Sequence, residues 1–348
     1  MRRAARQRRM AERGTTFYFL VAAKVKASGA DTPLLSLQEL RQRHPDWLCE
    51  HRCDLGGAIR GELREEFGAV SHRWEEGGRK KRPGGHDEPD PTCEQKRALI
   101  SMLEERPAIK YVWVDFSCMP QGERTEAEVA EFSVMLRNVN ILFLGCTPLI
   151  ICDVQYMGRF WTSFEMWCSM LVASASGVAS DATERSMLMR FIHAAREATL
   201  KPLLLQQFAV SHTEIYTMLS KEDILITNQN DKKVQLPKVQ QLNDDCMREW
   251  LESEVWLSAL SAATDRLAAA ANAPSLLEID AGEMQAAIDG AKRAGVPVDA
   301  PEMVKMIDRH AKCLEANRLK GECCVARARG RYTDLTCACT RCCGAYHS

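Results

Sequence analysis

The chain has 348 residues, 46% of them hydrophobic and 27% charged, with a formal net charge of −1. That is the balance of a globular protein with room for one large domain or two smaller ones. A near-neutral chain carries no global field toward nucleic acid or an anionic membrane, and no apolar run reaches the roughly 18 residues that cross a bilayer. The cysteines before residue 250 stand singly in apolar or loop settings, the pattern of reduced thiols in an intracellular core, so a cytoplasmic location is expected. In chain order, residues 1–30 read as a basic disordered arm. Arg2, Arg3, Arg6, Arg8, Arg9 and Arg13 precede the short apolar run from Phe17 to Ala23, and the alternative is an organelle-import sequence. Leu35 to Glu66 reads as helix, broken near Pro45. Phe67-Gly-Ala-Val-Ser-His72 is a strand, followed by a polar loop from Glu75 to Pro91.

Thr92 with Gln95 reads as a capping box, and Leu99, Met102 and Leu103 follow at helical spacing. Tyr111-Val-Trp-Val-Asp115 is a second strand, rich in β-favouring residues. Thr125 with Glu128 caps the next helix, with Val129, Phe132, Leu136 and Val139 as its buried stripe. Pro148-Leu-Ile-Ile-Cys152 is a third strand ending in Asp153, and a further helix carries Glu165. Such alternation predicts an α/β domain over 31–240, a parallel sheet flanked by helices. Ligands of that architecture bind beyond the carboxyl ends of the strands. Ser71, His72, Asp115 and Asp153 all fall at those ends and are expected along one edge, with Glu165 beside them.

Beyond about residue 185 the pattern is mostly helical, with a strand and loop expected over 223–236 and a long helix from Asp244 to about Ala271. Residues 241–320 are expected to form an α-helical extension. In it Asp280-Ala-Gly-Glu-Met284 returns as Asp299-Ala-Pro-Glu-Met303, with Ile288 and Ile307 in equivalent places. Two such Asp-x-x-Glu starts predict a helical hairpin for packing or for a protein partner. Residues 321–348 form a cysteine-rich tail read as disordered. Cys337, Cys339, Cys342 and Cys343 would be enough ligands for one zinc ion, but their spacing matches no standard finger, and no metal is assigned.

Trp161 and Glu165 stand four apart, on one face of a helix. The apolar stripe of that helix is Phe160, Phe164, Trp167 and Leu171, so Glu165 lies off it and can face solvent or a cleft. A carboxylate beside an indole at a strand-to-helix junction can serve a nucleotide, and an acid in an early helix turn is also favoured by the helix dipole alone. Asp115 can position a ribose hydroxyl or cap a turn. Ser71 and His72 can bind phosphate or donate a proton, or be structural. Arg159 can clamp an anion or pair with Asp153. Trp74 and Trp161 can stack on a base, whereas Trp113 inside a strand and Cys118 read as core. There is neither a G-x-G-x-x-G nor a P-loop.

Three blocks, Ala69-Val-Ser-His-Arg-Trp74, Trp113-Val-Asp-Phe-Ser-Cys-Met-Pro-Gln121 and Arg159-Phe-Trp-Thr-Ser-Phe-Glu165, resemble the heterokaryon-incompatibility (HET) domain family in type and order. The resemblance covers about residues 67 to 170. His72 stands where tyrosine is common in that family, and the long helical C-terminal part is not typical of it. HET domains are regarded as relatives of TIR (Toll/interleukin-1 receptor) domains, so the resemblance implies a flavodoxin/TIR-like fold and a role in cell-death or defence-type signalling. Some TIR domains cleave NAD with a glutamate four residues after a tryptophan. That implies Glu165 as catalytic carboxylate, Ser71, His72, Trp74, Asp115, Arg159 and Trp161 around the substrate, NAD as substrate and no required cofactor. The alternatives are a non-catalytic interaction module that self-associates as a homo-oligomer and recruits a protein partner through the helical extension, and a nucleotide sensor without turnover. Neither nucleic-acid binding nor a membrane span is expected.

Overall fold

The computed structural model describes residues 14–75, 88–180, 187–192, 197–226 and 229–252, and parts of 258–315. The chain divides into two compact units, one of residues 1–173 with 177–250, the other of 174–176 with 251–348.

The first unit is built on a six-stranded mixed sheet flanked by helices. It begins with β1 (Thr15–Val21), α1 (Ala22–Ala27), α2 (Leu37–Arg43), β2 (Leu48–Cys53) and α3 (Leu55–Arg60). Then come β3 (Phe67–Ser71), α4 (Glu94–Glu105), β4 (Tyr111–Trp113), α5 (Asp115–Cys118), α6 (Glu126–Arg137), α7 (Asn140–Gly145) and β5 (Thr147–Cys152). A 3-10 turn, Tyr156–Gly158, leads into α8 (Phe160–Ser169), and the small strands β6 (Leu171–Ser174) and β7 (Gly177–Ser180) pair with each other. The unit continues with β8 (Leu188–Phe191), α9 (Glu197–Phe208), α10 (His212–Ser220) and α11 (Gln229–Leu251).

Across the main sheet the order is β2-β1-β4-β3-β5-β8. Strands β4, β3, β5 and β8 are parallel neighbours. Taken in chain order they stand second, first, third, fourth, the start of the flavodoxin-like order. β3 is buried along its whole length and β5 beyond Thr147, as expected for central parallel strands covered on both faces. Gly68 shows how tight that packing is, since a Cβ there would lie 2.9 Å from Leu149 Cδ1.

The antiparallel margin departs from expectation. The basic arm predicted over 1–30 gives way at Thr15 to β1, which lies inside the sheet with Phe17 and Phe19 fully buried. β1 runs antiparallel to β2 from Thr15↔Cys53 to Leu20↔Leu48, and antiparallel to β4 at Leu20↔Val112. The helix predicted from Leu35 to Glu66 is two short helices around β2, an edge strand whose Glu50, His51 and Arg52 hid its alternation. Charges of this kind are common on sheet edges.

Other corrections are local. α4 starts from Cys93 in the left-handed conformation (φ 58°), and the orphan amides of Gln95 and Lys96 are met by Asp90 rather than by a Thr92–Gln95 box. The Thr125–Glu128 capping box is present, but Val129 on α6 is 50% exposed, and Met135 is the fully buried residue of that helix. Of the stripe predicted for α8, Phe160, Phe164 and Trp167 are buried on the helix, and Leu171 is buried as the first residue of β6. Helix α11 begins at Gln229, so the strand and loop expected over 223–236 shrink to a bridge at Leu225.

Helices α3 and α7 meet at Gly145, where an added Cβ would lie 2.9 Å from Ala58 Cβ and 3.0 Å from its Cα. Backbone cannot retreat as a side-chain tip can. Gly145→Ala is therefore expected to destabilise the protein by ~1–3 kcal/mol, read as a lower urea midpoint with an unchanged slope.

The second unit contains α12 (Ala281–Ala294), with Met284, Ile288 and Ala291 buried at helical spacing, and helical residues 303–312, with Met303 and Met306 buried. The two Asp-x-x-Glu repeats are not equivalent in packing, because Ile288 is 3% exposed and Ile307 is 37% exposed. The cysteine tail lies outside the described residues. No helix among the described residues is long and apolar enough to cross a membrane.

Candidate active site

The chain leaves β3 to form β4 on one side and returns past it to form β5 on the other. Between β3 and β5 the order reverses, and a crevice opens beyond their carboxyl ends, where open α/β sheets bind ligands. Here that crevice is a cleft of about 720 Å³ lined by His72, Trp74, Asp115, Arg159, Trp161 and Glu165. Gln121, Arg124, Phe132, Leu225 and Asp231 also line it, together with the charged side chains of Arg73, Glu75 and Glu88. Asp115 is the first residue of α5, directly past β4, and Glu165 sits one turn into α8. The three sequence blocks therefore meet at one place.

Ser71 is the exception to its predicted role. It is fully buried, and its hydroxyl donates to Glu165 Oε2 at 2.6 Å and lies 2.6 Å from the Tyr156 hydroxyl. It stands behind Glu165 rather than facing the cleft.

His72 has both ring nitrogens engaged. Nδ1 meets Gln95 Oε1, and Nε2 is 2.9 Å from Asp115 Oδ1. Gln95 has to present its oxygen to the ring, because its Nε2 donates to the Arg73 carbonyl at 2.7 Å. Both partners of the ring are thus acceptors, so both nitrogens carry protons and the ring is an imidazolium. Burial alone would pull its pKa down, but the charge and hydrogen bond of Asp115, helped by Glu165 and Gln95, carry it from 6.5 up to about 9. His72 is therefore a fixed cation in the cleft wall, not the proton donor that the sequence allowed.

Asp115 collects its own donors. Oδ1 also accepts from the Phe116 amide at 2.6 Å, and Oδ2 accepts from Trp74 Nε1 at 2.9 Å. Burial pushes this carboxyl up, but His72's charge and the hydrogen bonds from His72, Trp74 and Phe116 outweigh it and hold the pKa below the ordinary carboxylate range. The side chain keeps 35% of its surface accessible. That surface faces a cleft walled by protein, so the group is enclosed although solvent reaches it. The same bond fixes the Trp74 indole, which packs edge-on to Phe116 with centroids 5.7 Å apart.

Glu165 titrates the other way. It is half-buried, and burial, reinforced by the charge of Asp115, raises its pKa from 4.5 to about 8 against the pull of Ser71 and His72. Two carboxyl groups of one cleft are thus driven apart, one kept ionised and one kept protonated near neutrality, the arrangement that divides acid and base roles. Trp161 stands one turn before Glu165, edge-on to Phe160 and Phe164 at 5.7 and 6.2 Å. Its side chain also hydrogen-bonds Asp231, in the first turn of α11.

Arg159 lines the cleft, and its neighbours are stitched to the Leu225 segment by Phe160 N to Leu225 O and Leu225 N to Gly158 O, both 2.8 Å. The pairing allowed between Arg159 and Asp153 is not made by Arg159. Asp153 instead accepts from Arg73 Nε at 2.8 Å and from its Nη2 at 2.5 Å, which ties the ends of β3 and β5 together. Arg124 adds a further guanidinium to the wall, held by the Pro120 carbonyl at 2.7 Å and lying 3.8 Å over the Phe132 ring. Arg124 and Arg159 offer the planar donors that hold phosphate oxygens. Trp113 and Cys118 are buried as expected, and the Cys118 thiol is pushed up to about 12 by burial, far from a reactive thiolate.

Sequence reading missed Gln95, Arg124, Tyr156 and Asp231. Gln95 and Tyr156 are brought in by packing, and Asp231 comes from a helix remote in sequence. Arg124 lies three residues after Gln121 in the segment between β4 and α6, and that nearness to a strand-end block was its signal. Among the described residues no cluster of His, Cys, Asp and Glu is arranged to hold a metal ion. Comparison of the chain with protein-family models, with curated proteins and with solved structures returned no match.

Proposed function

We propose that this cleft binds NAD and cleaves its nicotinamide–ribose bond, as part of a cell-death or defence-type response. The observation that carries the reading is Glu165, a half-buried carboxyl lining the cleft one helical turn from Trp161. The volume of about 720 Å³ lies within the ~300–1,000 Å³ typical of ligand clefts. The indoles of Trp74 and Trp161 offer faces for the nicotinamide or adenine ring, and Arg124 and Arg159 suit the pyrophosphate.

In the reaction the glycosidic C–N bond breaks, and its electron pair leaves with nicotinamide, which becomes neutral. Positive charge builds on the ribose, and ionised Glu165 stabilises it, as fixed carboxylates do for oxocarbenium-like states. Water then adds to the ribose carbon and releases a proton, leaving ADP-ribose. His72 and Asp115 neutralise one another and hold the wall rigid, so that Glu165 is the anion that faces the developing charge.

The test is nicotinamide release from NAD, followed by chromatography over a series of protein concentrations, since self-association can be needed for activity. Its pH dependence is specific. Because Glu165 must lose its proton, kcat/KM is expected to rise about tenfold per pH unit below pH 8, to level off, and to fall above about 9 as His72 is neutralised. A profile that is flat or highest in acid sinks the assignment. One observation favours a second reading, a nucleotide sensor without turnover: burial keeps Glu165 protonated near neutral pH, and a neutral carboxyl does little for a cation. That reading expects calorimetric binding of NAD with no nicotinamide released even at pH 9.

A further inference from the structure

We infer that Tyr156 and Ser71 are positioning residues for Glu165, a buried hydroxyl chain that clamps one carboxyl oxygen and turns the other to the cleft. The inference rests on the NAD-cleavage reading for its functional meaning, but its geometry stands apart from it.

Ser71 Oγ lies 2.6 Å from Glu165 Oε2 and 2.6 Å from the Tyr156 hydroxyl. A serine hydroxyl has one proton to give. When Glu165 is ionised that proton goes to Oε2, so the Tyr156 hydroxyl donates to Ser71. The order of donation is Tyr156 to Ser71 to Glu165, and it engages Oε2, leaving Oε1 for the substrate. Ser71 and Tyr156 are both fully buried, so water does not compete for these bonds, and a hydrogen bond to an ionised group is stronger than one to a neutral group.

The frame around the chain is rigid. Ser71 ends a strand paired with β5 at Ser71↔Ile150. Tyr156 lies in the 3-10 turn before α8, and that turn is fastened to the helix by two hydroxyls of its first turn. Thr162 Oγ1 donates to the Tyr156 carbonyl, and Ser163 Oγ donates to the Met157 carbonyl at 3.1 Å. Ser169 Oγ donates to the Glu165 carbonyl at 2.8 Å. Strand end, turn and helix are thus locked together, and the carboxyl between them has little freedom to swing. The charged and titratable groups facing Glu165 are His72, from the residue after β3, and Asp115, from α5, with Tyr156 itself from the turn.

The test is infrared titration of the full chain in D2O, with the Glu165 carboxyl band assigned by its loss in Glu165→Gln. Ser71→Ala should raise the Glu165 pKa by half a unit or more, because the ionised form loses its donor. Tyr156→Phe, which removes one buried oxygen and keeps the ring, should move it the same way by less, and Ser71→Thr should restore it. In NAD turnover Ser71→Ala should lower kcat with little change in KM, and the rising limb of the pH profile should shift to higher pH. If Ser71→Ala and Tyr156→Phe both fold and leave the Glu165 band and its pKa where the parent has them, the clamp is overturned. If the band shifts as stated while no form of the protein binds or consumes NAD, the clamp stands and the NAD reading falls.

Discussion

Glu165→Gln is expected to reduce NAD cleavage by ~10²–10³-fold or more, the loss typical when one oriented charge-stabilising group is removed. The same substitution should make the protein more stable in alkali. In the folded state the carboxyl titrates at about 8 instead of 4.5. Between those values the unfolded chain has released a proton that the folded chain still holds, so stability falls as pH rises through that window. At 1.36 kcal/mol per unit a fully enclosed group would contribute ~5 kcal/mol. For a half-buried carboxyl screened by solvent the figure is about 2 kcal/mol. Glutamine has no proton to lose and keeps an acceptor for Ser71. Its melting temperature should therefore match the parent at pH 5 and exceed it by several degrees at pH 9. A catalytic group held at a cost in stability gives this joint result. Intact turnover removes Glu165 from the reaction, and equal stability at both pH values removes its raised pKa.

His72→Ala should be the most damaging single change to the cleft wall. It leaves Asp115 without its cation and Gln95 Oε1 without its donor. Removing one partner of a buried pair typically costs ~3–5 kcal/mol, and because Asp115 is 35% exposed about 2–3 kcal/mol is expected here. The sign of the pH dependence follows from the raised pKa. Histidine free in the unfolded chain titrates at 6.5 and His72 at about 9. Its stabilisation is complete below 6.5 and is lost as pH rises through about 9. Urea unfolding should therefore show the largest difference between parent and variant near pH 6 and a small one at pH 10. A pH-independent difference would falsify the imidazolium–Asp115 pair as the source. Turnover should fall as well, since Asp115 anchors Trp74 through its second oxygen.

Most of the alternation of strands and helices from Phe67 to Glu165 was legible because its main elements carry their own patterns, whereas the short helices α5 and α7 gave none that was read. β3 and β5 are short apolar runs, α6 has a capping box, and α8 has a stripe at helical spacing. The residues at the strand ends followed from that alternation alone, since parallel strands must all end on the same edge. β1 and β2 were not legible. Their signals are six or seven residues long and are flanked or interrupted by charge. What holds them is pairing with strands distant in sequence, and no local pattern reports that.

Within the site, sequence determined which residue types reach the cleft, and tertiary structure decided what each can do there. Nothing local distinguishes Ser71, sealed behind the cleft, from His72, exposed to it, because alternation sends neighbours to opposite sides and only the surrounding helices settle which side is hollow. The protonation states of His72, Asp115 and Glu165 were likewise beyond local reading. They depend on charges and donors brought from β3, α4, α5 and α8 to within hydrogen-bonding distance, and on the water those elements exclude.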